Sequence, residues 1–124
     1  MEERDPLTAA VIGAAIEVHK ILGPGLLESI YDRALRHELA LRGIPFQSQQ
    51  PVPVSYKGQS LGDDLRLDII VDGRLIVELK AVDQLHPIHE SQLITYLKLT
   101  GLRTGLLINF NVRLLKDGLK RMVL

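Results

Sequence analysis

The amino-acid sequence predicts an α/β (α+β) fold, helices flanking a β-sheet, in one domain spanning residues 1–124. Three features point to it. Apolar residues recur at three-and-four spacing through roughly the first forty positions, broken only by Gly23-Pro24-Gly25. From Phe46 onward the period changes to two, the signature of extended chain. A second helical stretch, from about Pro87 to Leu99, then separates those strands from another at Thr104 to Phe110.

The elements follow in order. Asp5-Pro6 reads as an N-cap with proline at the first helical position, and Leu7, Ala10, Val11, Ala14, Ala15, Val18, Ile21 and Leu22 form the apolar stripe of the first helix. The turn at Gly23-Pro24-Gly25 leads into a second helix from about Leu26 to Arg42, which Gly43 terminates. Helices joined so tightly pack together. Phe46 to Gln50 is extended, and Val52, Val54 and Tyr56 alternate with Pro51 and Pro53 before a Lys57-Gly58 turn, so this segment belongs at a sheet edge or a bulge. Leu65 to Val71 and Leu75 to Ala81 are strong strands around Asp72-Gly73, and Leu119 to Leu124 suits a short last strand.

Bulk composition narrows the functional classes. A chain of 124 residues, 46% apolar and 24% charged, can bury one core, and no apolar run is long enough to span a bilayer. The absence of cysteine excludes disulfides and thiolate metal sites, so any metal is held by oxygen or imidazole. The acids of Met1-Glu2-Glu3-Arg4-Asp5 do not fit a signal peptide, and the expected location is cytoplasmic. Formal net charge is zero but unevenly spread. From Thr95 onward six bases (Lys98, Arg103, Arg113, Lys116, Lys120 and Arg121) stand against Asp117 alone, while the first 94 residues carry the opposite excess. These bases are either scattered solubility charges or a phosphate-facing patch.

Side-chain parity decides whether the charges near Asp72-Gly73 can meet. Leu67, Ile69, Val71, Leu75, Val77, Leu79 and Ala81 are apolar at odd positions, whereas Arg66, Asp68, Glu78 and Lys80 are all even. A two-residue hairpin loop would set odd against even, so an odd-length loop is required. A three-residue loop with Gly73 left-handed is one solution; it is expected to place Asp68 opposite Ile76 and diagonal to Glu78, about 7–8 Å away between Cβ atoms. Asp68, Glu78 and Lys80 then share a face, beside Ile70 and Ile76. On the helix that follows, His89, Gln92 and Tyr96 make a polar stripe at i, i+3 and i+7. Alternating charge on a wet sheet surface is the bland alternative.

The order Asp68, hairpin, Glu78-Leu79-Lys80, then a helix carrying Gln92-Leu-Ile-Thr-Tyr96, resembles the PD-(D/E)XK phosphodiesterase superfamily, in the branch with a Gln-x-x-x-Tyr helix motif. Gly25-Leu-Leu-Glu28-Ser-Ile-Tyr31 is similar to the signature of the small bacterial GxxExxY family, a resemblance that extends to Leu22-Gly-Pro-Gly25, Val77-Glu-Leu-Lys80 and Leu107-Ile-Asn-Phe110. Leu67 stands where the superfamily's name expects proline.

The resemblance implies a restriction-endonuclease-like core, a mixed β-sheet flanked by helices, with a Mg²⁺- or Mn²⁺-dependent nuclease site acting on nucleic acid, DNA first. Asp68 and Glu78 would supply hard oxygen ligands, with the Leu79 carbonyl and Glu28 as further ligands. Lys80 would orient water or hold phosphate; its alternative is a plain salt bridge to Glu78 or Asp68. Gln92 and Tyr96 would support the nucleophile or a phosphate. Glu28 reads equally as a helix N-terminal stabiliser, and Tyr31 as a packing residue with a bonded hydroxyl. Arg66, His89, Arg113, Lys116, Lys120 and Arg121 are candidate nucleic-acid contacts. His19, His37, His86 and His89 are not spaced as a zinc site and suit surface or capping roles, His89 having the best claim to a cleft. Two other classes remain open: a non-catalytic module that keeps the fold and binds nucleic acid or protein, and an adaptor whose apolar first helix forms a homodimer.

Overall fold

Helix α1 (Pro6–Leu22) starts where its cap chemistry dictates. Asp5 is extended, and its carboxylate accepts from the Leu7 N–H at 3.3 Å and the Thr8 hydroxyl at 3.1 Å, with Pro6 leading the first turn. The computed structural model describes residues 5–124, so the first four positions of the expected domain lie outside the described residues. Val11, Ala14, Ala15 and Val18 are buried against the sheet. Those four residues of the stripe pack inside the molecule. Ile21 and Leu22, expected to continue it, overrun the core and are 71% and 37% exposed.

Helix α2 (Glu28–Leu41) begins two residues later than the sequence suggests, because Leu27 is still extended at the N-cap and offers no side-chain bond to the helix. It buries Tyr31, Leu35 and Leu39. Gly43, at φ 68°, ends it in the left-handed conformation expected of a terminating glycine.

Seven strands follow. The main sheet has the order β1 (Phe46–Val52), β4 (Leu65–Val71), β5 (Leu75–Lys80), β6 (Thr104–Asn109), β7 (Leu119–Val123), and a separate small hairpin pairs β2 (Ser55–Tyr56) with β3 (Gln59–Ser60) across Lys57-Gly58. Proline sits on β1, an edge strand, as its missing donor requires. Helix α3 (Pro87–Thr100) carries the chain from β5 to β6, which run parallel; every other neighbouring pair in the main sheet is antiparallel. The sheet is thus mixed and flanked by helices.

Both sheet faces are covered. Ile69, Val71, Leu75, Val77, Leu79, Leu106, Ile108 and Phe110 pack toward α1 and α2, while Ile70, Ile76 and Leu107 pack with Leu93 and Leu97 of α3. β5 is consequently buried along nearly its whole length. Among the described residues no helix is long and apolar enough to cross a membrane.

The β4–β5 hairpin has the odd parity that side-chain alternation demands, through the expected three-residue loop, Asp72-Gly73-Arg74, with Gly73 left-handed. Asp72 (φ 52°) and Gly73 (φ 66°) are both left-handed, and the Arg74 N–H closes the turn on the Val71 carbonyl at 3.1 Å. Arg74 is the additional residue, and Val71 pairs with Leu75. Ile76 lies opposite Ile70, not Asp68, so extending the same register sets Asp68 directly across from Glu78.

This geometry makes Arg74 dispensable for register. Its deletion leaves Val71 opposite Leu75 across a two-residue Asp72-Gly73 loop, and the exposed ion pairs of Arg74 with Asp5 and Asp72 contribute little. The deletion variant is expected to unfold cooperatively in urea with stability within about 1 kcal/mol of the parent. A chain that no longer folds would contradict the hairpin as described.

Candidate active site

The ladder fails around Asp68. On one side, β1 pairs Ser48 with Ile69 and Gln50 with Leu67 but skips Gln49, whose φ is 51°. On the other, pairing with β5 stops at Ile69–Val77. Beyond that point side chains take the place of backbone groups: the Asp68 N–H donates to Glu78 Oε1 at 3.1 Å, and the Leu79 N–H donates to Asp68 Oδ2 at 2.9 Å. Reciprocal bonds of this kind satisfy donors that a parted ladder would leave buried and unpaired. They also fix both carboxylates.

Each acid commits one oxygen to this clasp; the other takes no backbone N–H, and the two carboxyls are close enough to hydrogen-bond each other when one is protonated. Glu78 is only 7% exposed. Burial, reinforced by the negative charge of Asp68, lifts its carboxyl to about 8.

Two helices bring further groups to this opening. Glu28, the first residue of α2, is close enough for its carboxyl to be raised by desolvation and by Asp68, with the Lys80 ammonium opposing. Asp32, one turn later on the same helical face, is likewise raised by desolvation and by Asp68, although Arg36 lies 3.5 Å away. Asp32 Oδ1 and Arg36 Nε are buried without a hydrogen bond. The sequence reading missed Asp32; its position four residues after Glu28 was the available signal. From the α3 side comes Tyr96, 9% exposed, whose hydroxyl is pushed up by burial and by the charges of Glu78 and Asp68. It is an O–H donor at neutral pH.

Lys80 closes β5. None of the ion pairs among the described residues includes it, so the plain salt bridge to Glu78 or Asp68 is not formed. Gln92 lies on α3 one turn before Tyr96, exposed and without a hydrogen bond. Leu79 sits in β5 opposite Ile108 of the parallel strand. Tyr31 stacks on Phe110 at 4.6 Å, and its hydroxyl donates to the Gly23 carbonyl at 2.5 Å while accepting from the Leu26 N–H at 3.1 Å. It pins the loop that delivers Glu28.

The candidate nucleic-acid contacts are dispersed. Arg66 donates to the Asp63 carbonyl, on the same strand as Asp68. Lys116 and Arg121 line a cavity under α1 with Asp5 and Thr8, and Arg113 borders a cleft with Ile16 and His19. Lys120 lies in β7 opposite Leu107, on the far side of the sheet from β4. The structure does not bring these four tail bases to the acids. His89 does stand near Lys80, whose charge, after desolvation, holds its imidazole below the ordinary histidine range. His19 is not a surface residue: it is 8% exposed, with Nε2 2.7 Å from the Val112 carbonyl oxygen.

The donor set suits a hard divalent cation. Asp68 and Glu78 face each other, each with one oxygen that takes no backbone N–H, Glu28 and Asp32 add negative charge, and no ammonium or guanidinium pairs with the first two. Among the described residues, however, no three His, Asp or Glu side chains are already gathered tightly enough to enclose an ion. The two strand acids are fixed by their reciprocal bonds to backbone N–H groups.

A sequence model of the PD-(D/E)XK nuclease superfamily matches residues 5–122. No curated protein and no solved structure matches the chain.

The raised Glu78 carboxyl fixes the sign of a stability effect. Without metal the folded chain holds a proton that the unfolded chain has already released above about pH 4.5, so stability falls as pH rises from there toward 8. In EDTA the melting temperature is expected to drop by roughly 5–10 °C between pH 5.5 and 8.5, and Glu78→Gln is expected to remove most of that slope. A melting temperature independent of pH, or a glutamine variant less stable than the parent at pH 8.5, would count against this electrostatic picture.

Proposed function

The chain belongs to the PD-(D/E)XK nuclease superfamily, and from that premise we propose that it is a Mg²⁺- or Mn²⁺-dependent nuclease that hydrolyses phosphodiester bonds, with DNA as the first substrate. One observation carries this reading. Two carboxylates replace the backbone ladder between β4 and β5, each keeping one oxygen free of the backbone, with Lys80 two residues beyond Glu78. Such an arrangement satisfies the parted backbone donors but sets two carboxylates side by side, a charge placement that a cation would relieve. The Gly25-to-Tyr31 segment further supports assignment to the GxxExxY branch.

The residue roles follow from position and charge. Asp68 and Glu78 hold the cation by their free oxygens, aided by the Leu79 carbonyl and by Glu28 from the α2 side. A bound divalent ion supplies charge neutralisation at the phosphate and an acidified water. Lys80, unpaired by either acid, holds a non-bridging phosphate oxygen or orients the attacking water. Tyr96 keeps its proton and donates it as a hydrogen bond to a phosphate oxygen, with Gln92 one turn away on the same helix. Asp32, behind Glu28, adds negative charge that strengthens cation affinity.

A second reading draws on the open geometry of the acids: a module that retains this fold and binds nucleic acid or protein without hydrolysis. One assay separates the two. Purified protein with Mg²⁺ or Mn²⁺ is expected to cut plasmid or labelled single-stranded DNA, and Lys80→Ala or Asp68→Ala to lower the rate by about 10²-fold or more, with circular dichroism unchanged. Cleavage that is indifferent to both substitutions would refute the site. Salt-sensitive DNA binding with no cleavage in any metal would instead favour the binding module.

A further inference from the structure

Immediately after Lys80 the chain leaves β5 and lines an open cavity of about 600 Å³ with Ala81, Val82, Asp83, Gln84, His86 and His89. We propose that this cavity is a nucleobase subsite, taking the base of a nucleotide adjacent to the phosphate held at Lys80 and favouring bases that carry an exocyclic amino group. The inference rests on the phosphodiesterase reading only for the position of that phosphate.

The cavity has built walls. Asn109, 2% exposed at the end of β6, clamps the loop: its Oδ1 accepts from the Val82 N–H at 3.1 Å and the Asn111 N–H at 3.2 Å, and its Nδ2 donates to the Val82 carbonyl at 2.9 Å. Only an amide satisfies both polar groups of Val82 at once. The Phe110 N–H, one residue beyond β6, donates to the Lys80 carbonyl at 2.9 Å, so Lys80 and the loop that opens the cavity are both tied to the end of β6. The opposite wall is the start of α3. There His89 Nδ1 accepts from the His86 N–H at 3.1 Å, which fixes the His89 ring, and the two imidazoles stand 5.8 Å apart at 54°.

The lining chooses the ligand class. Asp83 repels a phosphate, so an anion is the wrong occupant. Gln84 offers a donor and an acceptor, and the histidines offer flat faces of the kind on which bases stack. Desolvation, then the charges of Lys80 and His86, hold the His89 imidazole below the ordinary histidine range, consistent with stacking rather than phosphate binding. A carboxylate accepts from the amino group of cytosine, and a glutamine pairs with adenine; thymine has no amino group to give.

The test is equilibrium binding of fluorescent single-stranded oligo(dA), oligo(dC) and oligo(dT) to the full chain, with Ca²⁺ in place of Mg²⁺ to hold back cleavage, beside a cleavage assay of the same protein in Mg²⁺. Oligo(dA) and oligo(dC) are expected to bind about tenfold tighter than oligo(dT). Adding Asp83→Ala and Gln84→Ala is expected to compress that spread to about twofold without lowering the melting temperature. Equal affinities, a spread that survives the added substitutions, or no binding of any strand would overturn the subsite. Base-dependent binding by a protein that hydrolyses nothing would sink the nuclease reading and leave the subsite standing; hydrolysis without base preference would do the reverse.

Discussion

The structure turns on a pair of hydrogen bonds that a regular sheet would not contain. At Asp68 and Glu78 the β4 and β5 backbones stop pairing, and each carboxylate reaches across to an N–H of the other strand. Those bonds keep the parted strands from leaving orphan donors in the interior. They also hold two acids side by side, a repulsion that a proton on Glu78 relieves in the isolated chain and that a bound cation would relieve as well. The interruption extends to β1, where Gln49 adopts a left-handed conformation rare for its residue type beside the same aspartate.

The rest of the fold converges on this opening. Tyr31, stacked on Phe110 and bonded to both sides of the Gly23–Leu26 loop, sets where α2 begins and so where Glu28 and Asp32 face. α3 roofs the other face and carries Tyr96 and His89. Asn109 of β6 and the adjoining Phe110 hold the far side of the site. Acids from two strands and one helix therefore lie around this opening, and burial raises the proton affinity of Glu78, Glu28 and Asp32. Local stability is given up at the place where a cation would restore it.

Much of this was legible in the sequence, and the failures have physical causes. The odd positions of Leu67, Ile69, Val71, Leu75, Val77 and Leu79 forced the hairpin parity and placed Asp68, Glu78 and Lys80 in one neighbourhood. The direct partner of Asp68 was misjudged by a miscount: a three-residue loop sets Val71 opposite Leu75, and stepping back along both strands from that pair reaches Asp68 and Glu78, not Ile76. Strict alternation also breaks at Asp68: Leu67, though odd, packs with Val52 and Ile70 on the α3 side rather than with Ile69. Asp32 was not recognisable among the many charges of α2, since an acid four residues after another is commonplace until the fold points both at Asp68. The Asn109–Val82 clamp spans 27 residues and has no local signature. Periodicity marked Gln92 and Tyr96 as a polar stripe on their helix; family resemblance supplied their roles and singled out Glu28, which helix polarity alone would not have done.

The central claim is that the free oxygens of Asp68 and Glu78 jointly hold a divalent cation. Crystals grown with Mn²⁺ and measured at a wavelength sensitive to it test this most directly. The account predicts one anomalous peak within about 2.0–2.3 Å of an oxygen from each of these two carboxylates. A peak bound elsewhere, or none between them at saturating Mn²⁺, would contradict it.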